Sequence, residues 1–366
     1  MPFGSEGVAP GIGLGLSGGG FRATLFHIGS CWRLVELGVL TKVGRISSVS
    51  GGSIFAGVLA ANWKTLAADP GKYPDLIVQP LRQFCRRSID TPAIGEGILV
   101  PWKSAGDLLE ADYRTLFDTS LDKLPDSPVF IFNSTNLQTG RDFRFSKPYM
   151  GDYRIGLIKD PTLPLAKVVA ASSAFPPFLS PIVIDNPGKF IPVEGADLNG
   201  RPEFTEHLYL SDGGVYDNLG LETIWNRCET VLASDAGAPF GLGDVVETDW
   251  VRQTLRALDV ATDQSRGLRK RALVADYRSK ARKGCYWGID TKIAAYELAD
   301  SLRCDDKIVE PLAGLRTRLN PFSDTEQESL INWGYAVCDA AVRKYAGEIV
   351  SAEARPKWPC PAHPLS

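Results

Sequence analysis

Two strand-to-helix junctions within the first 63 residues constrain this chain most. Gly11 to Ser17 reads as a short buried strand that runs straight into Gly18-Gly19-Gly20. Phe21 to Leu40 then turns helix-periodic, with Phe26, Ile28, Cys31, Trp32, Leu34, Val35 and Leu37 apolar and Gly38 a fitting stop. Val43 to Val49 is a second strand, and at Ser50-Gly51-Gly52 it passes into a second helix over Gly51 to Trp63. A β-α-β-α order of this kind closes as a parallel sheet with helices on both faces. At 366 residues and 44% hydrophobic, the chain can bury a large core around such a sheet.

The texture changes between 64 and 125 to polar, proline-containing and loosely helical, the pattern of an insertion or lid. Val129 to Thr135 and Phe143 to Ser146 read as strands around a Thr139-Gly140 turn, in an antiparallel part of the sheet. A helix is expected over Lys167 to Ala174, stopped by Pro176-Pro177. Strands follow at Leu208 to Leu210 and Thr230 to Ser234, with a helix from Leu219 to Cys228 between them. Beyond Asp249 the pattern is mainly helical and ends in a proline-rich tail. The expected organisation is an α/β domain over 10–240 and a mainly helical C-terminal extension over 241–366, packed on it.

Charge and cysteine usage exclude several classes. A formal net charge of −3 gives no general affinity for polyanions, so no nucleic-acid partner is expected. No run approaches the roughly 18 to 20 apolar residues of a membrane span, and the first residues lack the basic and apolar regions of a signal peptide. The seven cysteines are scattered, odd in number and without a Cys-x-x-Cys pair. That pattern fits reduced thiols in a cytoplasmic protein rather than a disulfide framework or a zinc site. Nothing in the sequence sets the oligomeric state.

The two junctions carry chemistry. A serine hydroxyl is a weak nucleophile until a neighbouring base takes its proton. Ser50, flanked by the small residues Ser48 and Gly52, sits where a sharp turn would hold its Oγ clear of the backbone. By itself Ser50-Gly51-Gly52-Ser53 also suits an ordinary helix start. The glycine loop one β-α unit earlier tips the balance. Gly18, Gly19 and Gly20 permit the left-handed backbone that turns successive N–H groups toward one point, a nest for a developing oxyanion. Arg22, on the first turn of the helix, is a candidate for a substrate phosphate. Gly13-Leu14-Gly15-Leu16-Ser17-Gly18 also matches G-x-G-x-x-G, but the match lies within the strand rather than after it, and Glu36, the nearest acid, falls inside a helix.

No histidine is well placed as the base. His27 lies on the first helix, His207 begins the strand that leads to Asp212, and His363 is in the tail. Asp212, at a strand end before Gly213-Gly214, is the candidate base, with Asp235 at the end of the next strand in reserve. No histidine-derived limb near pH ~6.5 is then expected in the activity profile.

At this point the sequence resembles the patatin-like acyl hydrolases. Their Gly-rich oxyanion loop, G-x-S-x-G elbow and Asp-Gly-Gly motif have counterparts in Gly18-Gly19-Gly20-Phe21-Arg22-Ala23, Ser48-Val49-Ser50-Gly51-Gly52 and Asp212-Gly213-Gly214. The Ser-Gly-Gly-Gly-Phe-Arg string is especially similar to animal cytosolic phospholipases, in which the arginine is implicated in phosphate recognition. Ala171 to Pro176, Asn136 to Gly140 and Val215 to Asn218 add to the likeness, which covers residues 10 to 240. Ser48 and Ala23 replace family glycines, and both replacements are small.

The resemblance implies a three-layer α/β/α fold with a mixed, mainly parallel sheet and a Ser50–Asp212 dyad that cleaves fatty acyl esters. It implies a phospholipid or other acyl-ester substrate at a membrane surface, and no metal or organic cofactor. A neutral-lipid or small-ester hydrolase, and a non-catalytic lipid-binding or signalling module, remain open beside it. Residues 266–283, with eight basic side chains against Asp276, offer a candidate face for anionic lipid.

Overall fold

The computed structural model describes residues 7–89, 105–243, 246 and 248–366. Among these, the strands are β1 (Ala9–Leu16), β2 (Val43–Ser48), β3 (Val129–Asn136), β4 (Arg141–Phe145), β5 (Tyr149–Asp152), β6 (Gly156–Lys159), β7 (Ile182–Asp185), β8 (His207–Asp212), β9 (Cys228–Asp235) and β10 (Lys283–Gly288). They form one sheet in the order β10-β9-β1-β2-β3-β4-β5-β6, parallel from β10 to β3 and antiparallel beyond. β8 attaches antiparallel to β3, and β7 to β8. The longer helices are α1 (Gly20–Glu36), α2 (Gly51–Ala68), α3 (Gln79–Phe84), α4 (Ala105–Arg114), α5 (Leu165–Ser173), α6 (Trp250–Arg278), α7 (Asp306–Ala313) and α8 (Asp324–Tyr345). This is the three-layer arrangement expected from the β-α-β-α opening.

The alternation in β1 explains its two faces. Leu14 and Leu16 are fully buried in the larger core, with Phe26, Phe55 and Val337 of α1, α2 and α8. Gly13 and Gly15 face the other way, where Leu219, Leu221, Ile224 and Leu273 make a second, smaller core. A Cβ at Gly13 would stand 2.9 Å from the Ile224 Cβ, so the glycines let the 219–225 segment press directly on the strand. The G-x-G pattern is therefore used for packing.

Helix α1 is buried on nearly every side, and its partner is α8. The two backbones touch: a Cβ at Gly29 would strike the Ile331 carbonyl, and one at Gly334 the Phe26 carbonyl. Arg33 lies in this interface, paired with Asp339 at 2.8 Å and with Glu36 at 2.8 Å. A capping box at Ser323 and Glu326 fixes the start of α8.

Three expectations change. The helix expected over Leu219 to Cys228 is replaced by single turns at Gly214–Asp217 and Glu222–Trp225. The Asp217 carboxylate accepts the N–H groups of Leu219 and Glu222, both at 3.0 Å, and Gly220 takes a φ of 61°, which ends the helical path. The segment after 240 is helical in the main but also supplies β10, in register with β9 from Lys283↔Thr230 to Gly288↔Asp235. Within 64–125, the described residues are helical but pack inward: Phe84 lies edge-on to Phe21 at 5.7 Å, and Tyr113 and Phe117 are buried. Residues 90–104 of that stretch lie outside the described residues. No helix of the described residues is long and apolar enough to cross a membrane.

Candidate active site

The meeting of Ser50 and Asp212 follows from the edge of β3. On that edge β2 pairs with residues 129–132, ending at Ser48↔Phe132, and β8 continues the line over 134–136, ending at Ser134↔Asp212. The C-terminal ends of β2 and β8 therefore face each other across a gap of two residues, about 7 Å. Ser50, two residues beyond Ser48, occupies that gap.

The elbow is strained and tightly held. Ser50 has φ 53° and ψ −120°, a conformation that costs a non-glycine residue on the order of 1–3 kcal/mol. Its N–H donates to the Ser172 carbonyl at 3.2 Å. Ser172 Oγ donates to the Asn133 carbonyl at 2.6 Å and bonds Ser53 Oγ at 2.8 Å. A Cβ at Gly52 would lie 2.5 Å from the Leu16 carbonyl, which explains the glycine there. Ser48, where the resembling family has glycine, is accommodated: its hydroxyl donates to the Ile131 carbonyl at 3.3 Å.

Asp212 is 2% exposed. Its carboxylate accepts the Gly214 N–H at 2.7 Å and a hydrogen bond from the Ser50 hydroxyl. Burial raises its pKa to about 6 despite both bonds. A titration near 6 is thus expected from this carboxylate, with no histidine needed to supply it.

The glycine loop divides its tasks. Gly18 donates its N–H to the Asn218 carbonyl at 3.0 Å, so its expected place as an oxyanion donor is already taken. It serves by lacking a side chain, since a Cβ there would be 3.0 Å from that of Ser50. Gly19 (φ 142°) and Gly20 (φ 57°) line the cavity beside Ser50, and their N–H groups have no hydrogen-bond partner among the described residues.

Arg22 does not face the cavity. It is fully buried, and its guanidinium donates to the carbonyls of Ala313 and Leu315 at 2.8 Å each and of Ala236 at 2.7 Å. Burial, and the charge of Arg266 nearby, lower its pKa to about 10. The expectation that it meets a substrate phosphate is corrected accordingly: both terminal nitrogens are held by backbone that begins after residue 235, and Nε, buried, has no hydrogen-bond partner among the described residues.

The remaining candidates are placed elsewhere. His27 is buried and held neutral, its pKa lowered to about 4 by burial, with Nε2 bonded to the Ser17 carbonyl and Nδ1 to Ser234 Oγ, both at 2.9 Å. His207 pairs with Asp185 and His363 with Glu328. None of the three lines the cavity. Asp235, the reserve base, is engaged by Arg266 at 2.9 Å and by Tyr286 Oη at 2.6 Å, and the Arg266 charge holds its pKa below the usual carboxylate range. Half of the basic run 266–283 is paired within the fold: Arg266 with Asp235, Arg269 with Asp217 and Glu222, Lys270 with Asp290 and Lys283 with Glu229.

The cavity over Ser50 and Asp212 has a volume of about 430 Å³. Phe175, Phe178 and Leu179 form an apolar wall, and α6 forms a polar one with Arg256, Asp259, Thr262, Asp263 and Arg266. Among the described residues, none of 64–125 lines the cavity, and residues 90–104 of the expected lid lie outside them. Sequence reasoning missed Ser172, Asn133 and Asn218 as the elements that hold the elbow and loop. Ser172 and Asn218 lay in stretches that added to the family resemblance, but no local pattern pointed to what they touch.

The sequence model of the family described as patatin-like phospholipase matches residues 14–225. No curated protein sequence matches the chain. Among solved structures, human GIVD cytosolic phospholipase A2 aligns with a TM-score of 0.53 at 14% identity, over 93% of this chain and 59% of that one. The same human protein in complex with methyl gamma-linolenyl fluorophosphonate inhibitor and terbium chloride aligns with a TM-score of 0.51 at 15% identity, over 93% and 58%. The chain thus spans about three fifths of the length of these neighbours, and the likeness is one of fold.

Proposed function

This chain belongs to the patatin-like phospholipase family, and from that premise we propose that it cleaves fatty acyl esters of phospholipids with Ser50 as nucleophile and Asp212 as the sole base. The observation that carries this reading is a buried carboxylate hydrogen-bonded to the hydroxyl of a strained elbow serine, in a cavity that no histidine lines. Ionised Asp212 takes the hydroxyl proton as Ser50 Oγ bonds to the carbonyl carbon. The carbonyl π pair moves onto oxygen, where the N–H groups of Gly19 and Gly20 meet the new charge. On collapse the C–O bond to the alcohol breaks, and Asp212 returns its proton to the departing alkoxide. Water then enters with Asp212 again as base, releasing the fatty acid and free Ser50. The Phe175, Phe178 and Leu179 wall gives an acyl chain apolar contact beside the nucleophile.

Product profiling of mixed-lipid vesicles, wild type beside Ser50→Ala, tests the proposal. Fatty acid and lysophospholipid should appear with the wild type alone. Release only from triacylglycerol or a soluble ester moves the substrate to neutral lipid or small ester. Identical profiles for both proteins would sink the hydrolase reading.

A further inference from the structure

We infer that the cavity selects zwitterionic glycerophospholipids over anionic ones through Arg256, Asp259 and Asp263 of α6; the inference rests on the acyl-ester reading of the site. These residues stand at i, i+3 and i+7 of the helix, so they share a face, and all three line the cavity that holds Ser50 and Asp212. The carboxylates of Asp259 and Asp263 make no hydrogen bond or ion pair among the described residues, with Arg256 or with any other group. Arg256 lies 4.0 Å over the Phe240 ring and gives one hydrogen bond, 2.7 Å to the Gly241 carbonyl, out of five N–H donors.

The rest of α6 is treated differently. Arg266, Arg269 and Lys270 each have a carboxylate partner, Arg266 among them although it too lines the cavity. Of the α6 charges that line the cavity, Arg266 is paired with Asp235, while Arg256, Asp259 and Asp263 have no ion pair among the described residues. The unmatched set is one guanidinium and two carboxylates.

A headgroup that carries both a phosphodiester and an ammonium answers that set. The phosphate takes the open edge of the Arg256 fork, as guanidinium geometry favours. The ammonium lies against Asp259 and Asp263. An anionic headgroup without an ammonium gains the first contact but sets its charge near two unpaired carboxylates, which is discrimination by repulsion as much as by attraction. A glyceride without phosphate answers neither.

The test compares phosphatidylcholine and phosphatidylethanolamine with phosphatidylglycerol, each a dilute guest in neutral detergent micelles so that the surface carries little charge. The wild type should turn over the zwitterionic lipids faster by about tenfold, and the ratio should fall toward one in Asp259→Asn/Asp263→Asn. A second arm measures binding of short-chain, monomeric versions of the same lipids to Ser50→Ala, where the same preference should appear in Kd. Equal binding, a preference for phosphatidylglycerol, or an unchanged ratio in the double variant overturns the inference. Should the double variant fail to fold, Asp259→Asn alone, at an exposed position, decides the point. Selective binding without any turnover by the wild type would instead overturn the hydrolase reading and leave the headgroup preference standing.

Discussion

Ser48 and Asp212 lie on the same edge of β3, opposite Phe132 and Ser134, so that two strands from distant parts of the chain end face to face with Ser50 between them. β2 leads to the proposed nucleophile and β8 ends on its proposed base, and sheet hydrogen bonds to β3 fix both strands. This geometry leads to direct expectations.

Ser50→Ala should abolish hydrolysis, a loss of at least about a thousandfold, because no other hydroxyl replaces the nucleophile. The melting temperature should move little, since neither a charge nor a large cavity is created. Turnover of a chromogenic ester and labelling by a fluorophosphonate, beside a thermal melt, check both halves.

Asp212→Asn should inactivate the protein and stabilise it. The folded pKa of about 6 lies above the ordinary carboxylate value of 3.8, so ionised Asp212 weakens the fold, by up to about 3 kcal/mol. That cost is fully present above pH 6, shrinks as pH falls through 6, and is gone below the unfolded value near 4. Urea unfolding should therefore show a gain for the variant at pH 8 and none near pH 4. A variant less stable than wild type at pH 8 contradicts the assignment.

Activity should rise with pH through about 6 as Asp212 ionises. The limb belongs to the carboxylate, so His207→Gln/His363→Gln should leave it in place. His27→Gln, which keeps a donor and an acceptor for Ser17 and Ser234, should leave it as well. Loss of the limb in either variant would restore a histidine to the mechanism.

Arg22→Lys separates two roles. A lysine cannot serve the three carbonyls of Ala236, Ala313 and Leu315 with the same planar fork. As a brace for the loop, Arg22 should matter equally for a phospholipid and for a phosphate-free soluble ester, with losses of about tenfold or more in kcat for both. A loss confined to the phospholipid would return Arg22 to the substrate.

Gly20→Ala should lower kcat by roughly a hundredfold, the effect of losing one oxyanion donor. At φ 57° a Cβ would run into the Thr317 carbonyl, so the loop must move away from Ser50. Ester turnover at saturating substrate reads the loss directly.

The sequence disclosed those parts of the site whose constraints are local. Gly19, Gly20, Gly51 and Gly52 announce themselves because backbone crowding at two strand-to-helix junctions tolerates nothing larger, and Ser50 stands between them. Asp212 was legible as a strand-end acid before two glycines. That it touches Ser50 depends on the register of β3, which no window of sequence contains. Arg22 was misread because its acceptors are backbone carbonyls, and a carbonyl leaves no mark in residue identity. The helix expected at Leu219 to Cys228 failed for a local reason: Asp217 captures two N–H groups that a helix would need. β10 escaped notice because six residues bounded by Lys283 and Gly288 are too few to stand out beside a long helix.

The clasp on the loop at Gly20 and Arg22 has a consequence for the chain during its own synthesis. Ala313, Leu315, Thr317 and Arg318, which grip that loop through their carbonyls, leave the ribosome long after the loop itself. The serine and its base can already have met while the oxyanion pocket still lacks its outer wall. The outer wall of this loop thus joins the site only after residues 313–318 have been made, well after the strands that lead to Ser50 and Asp212.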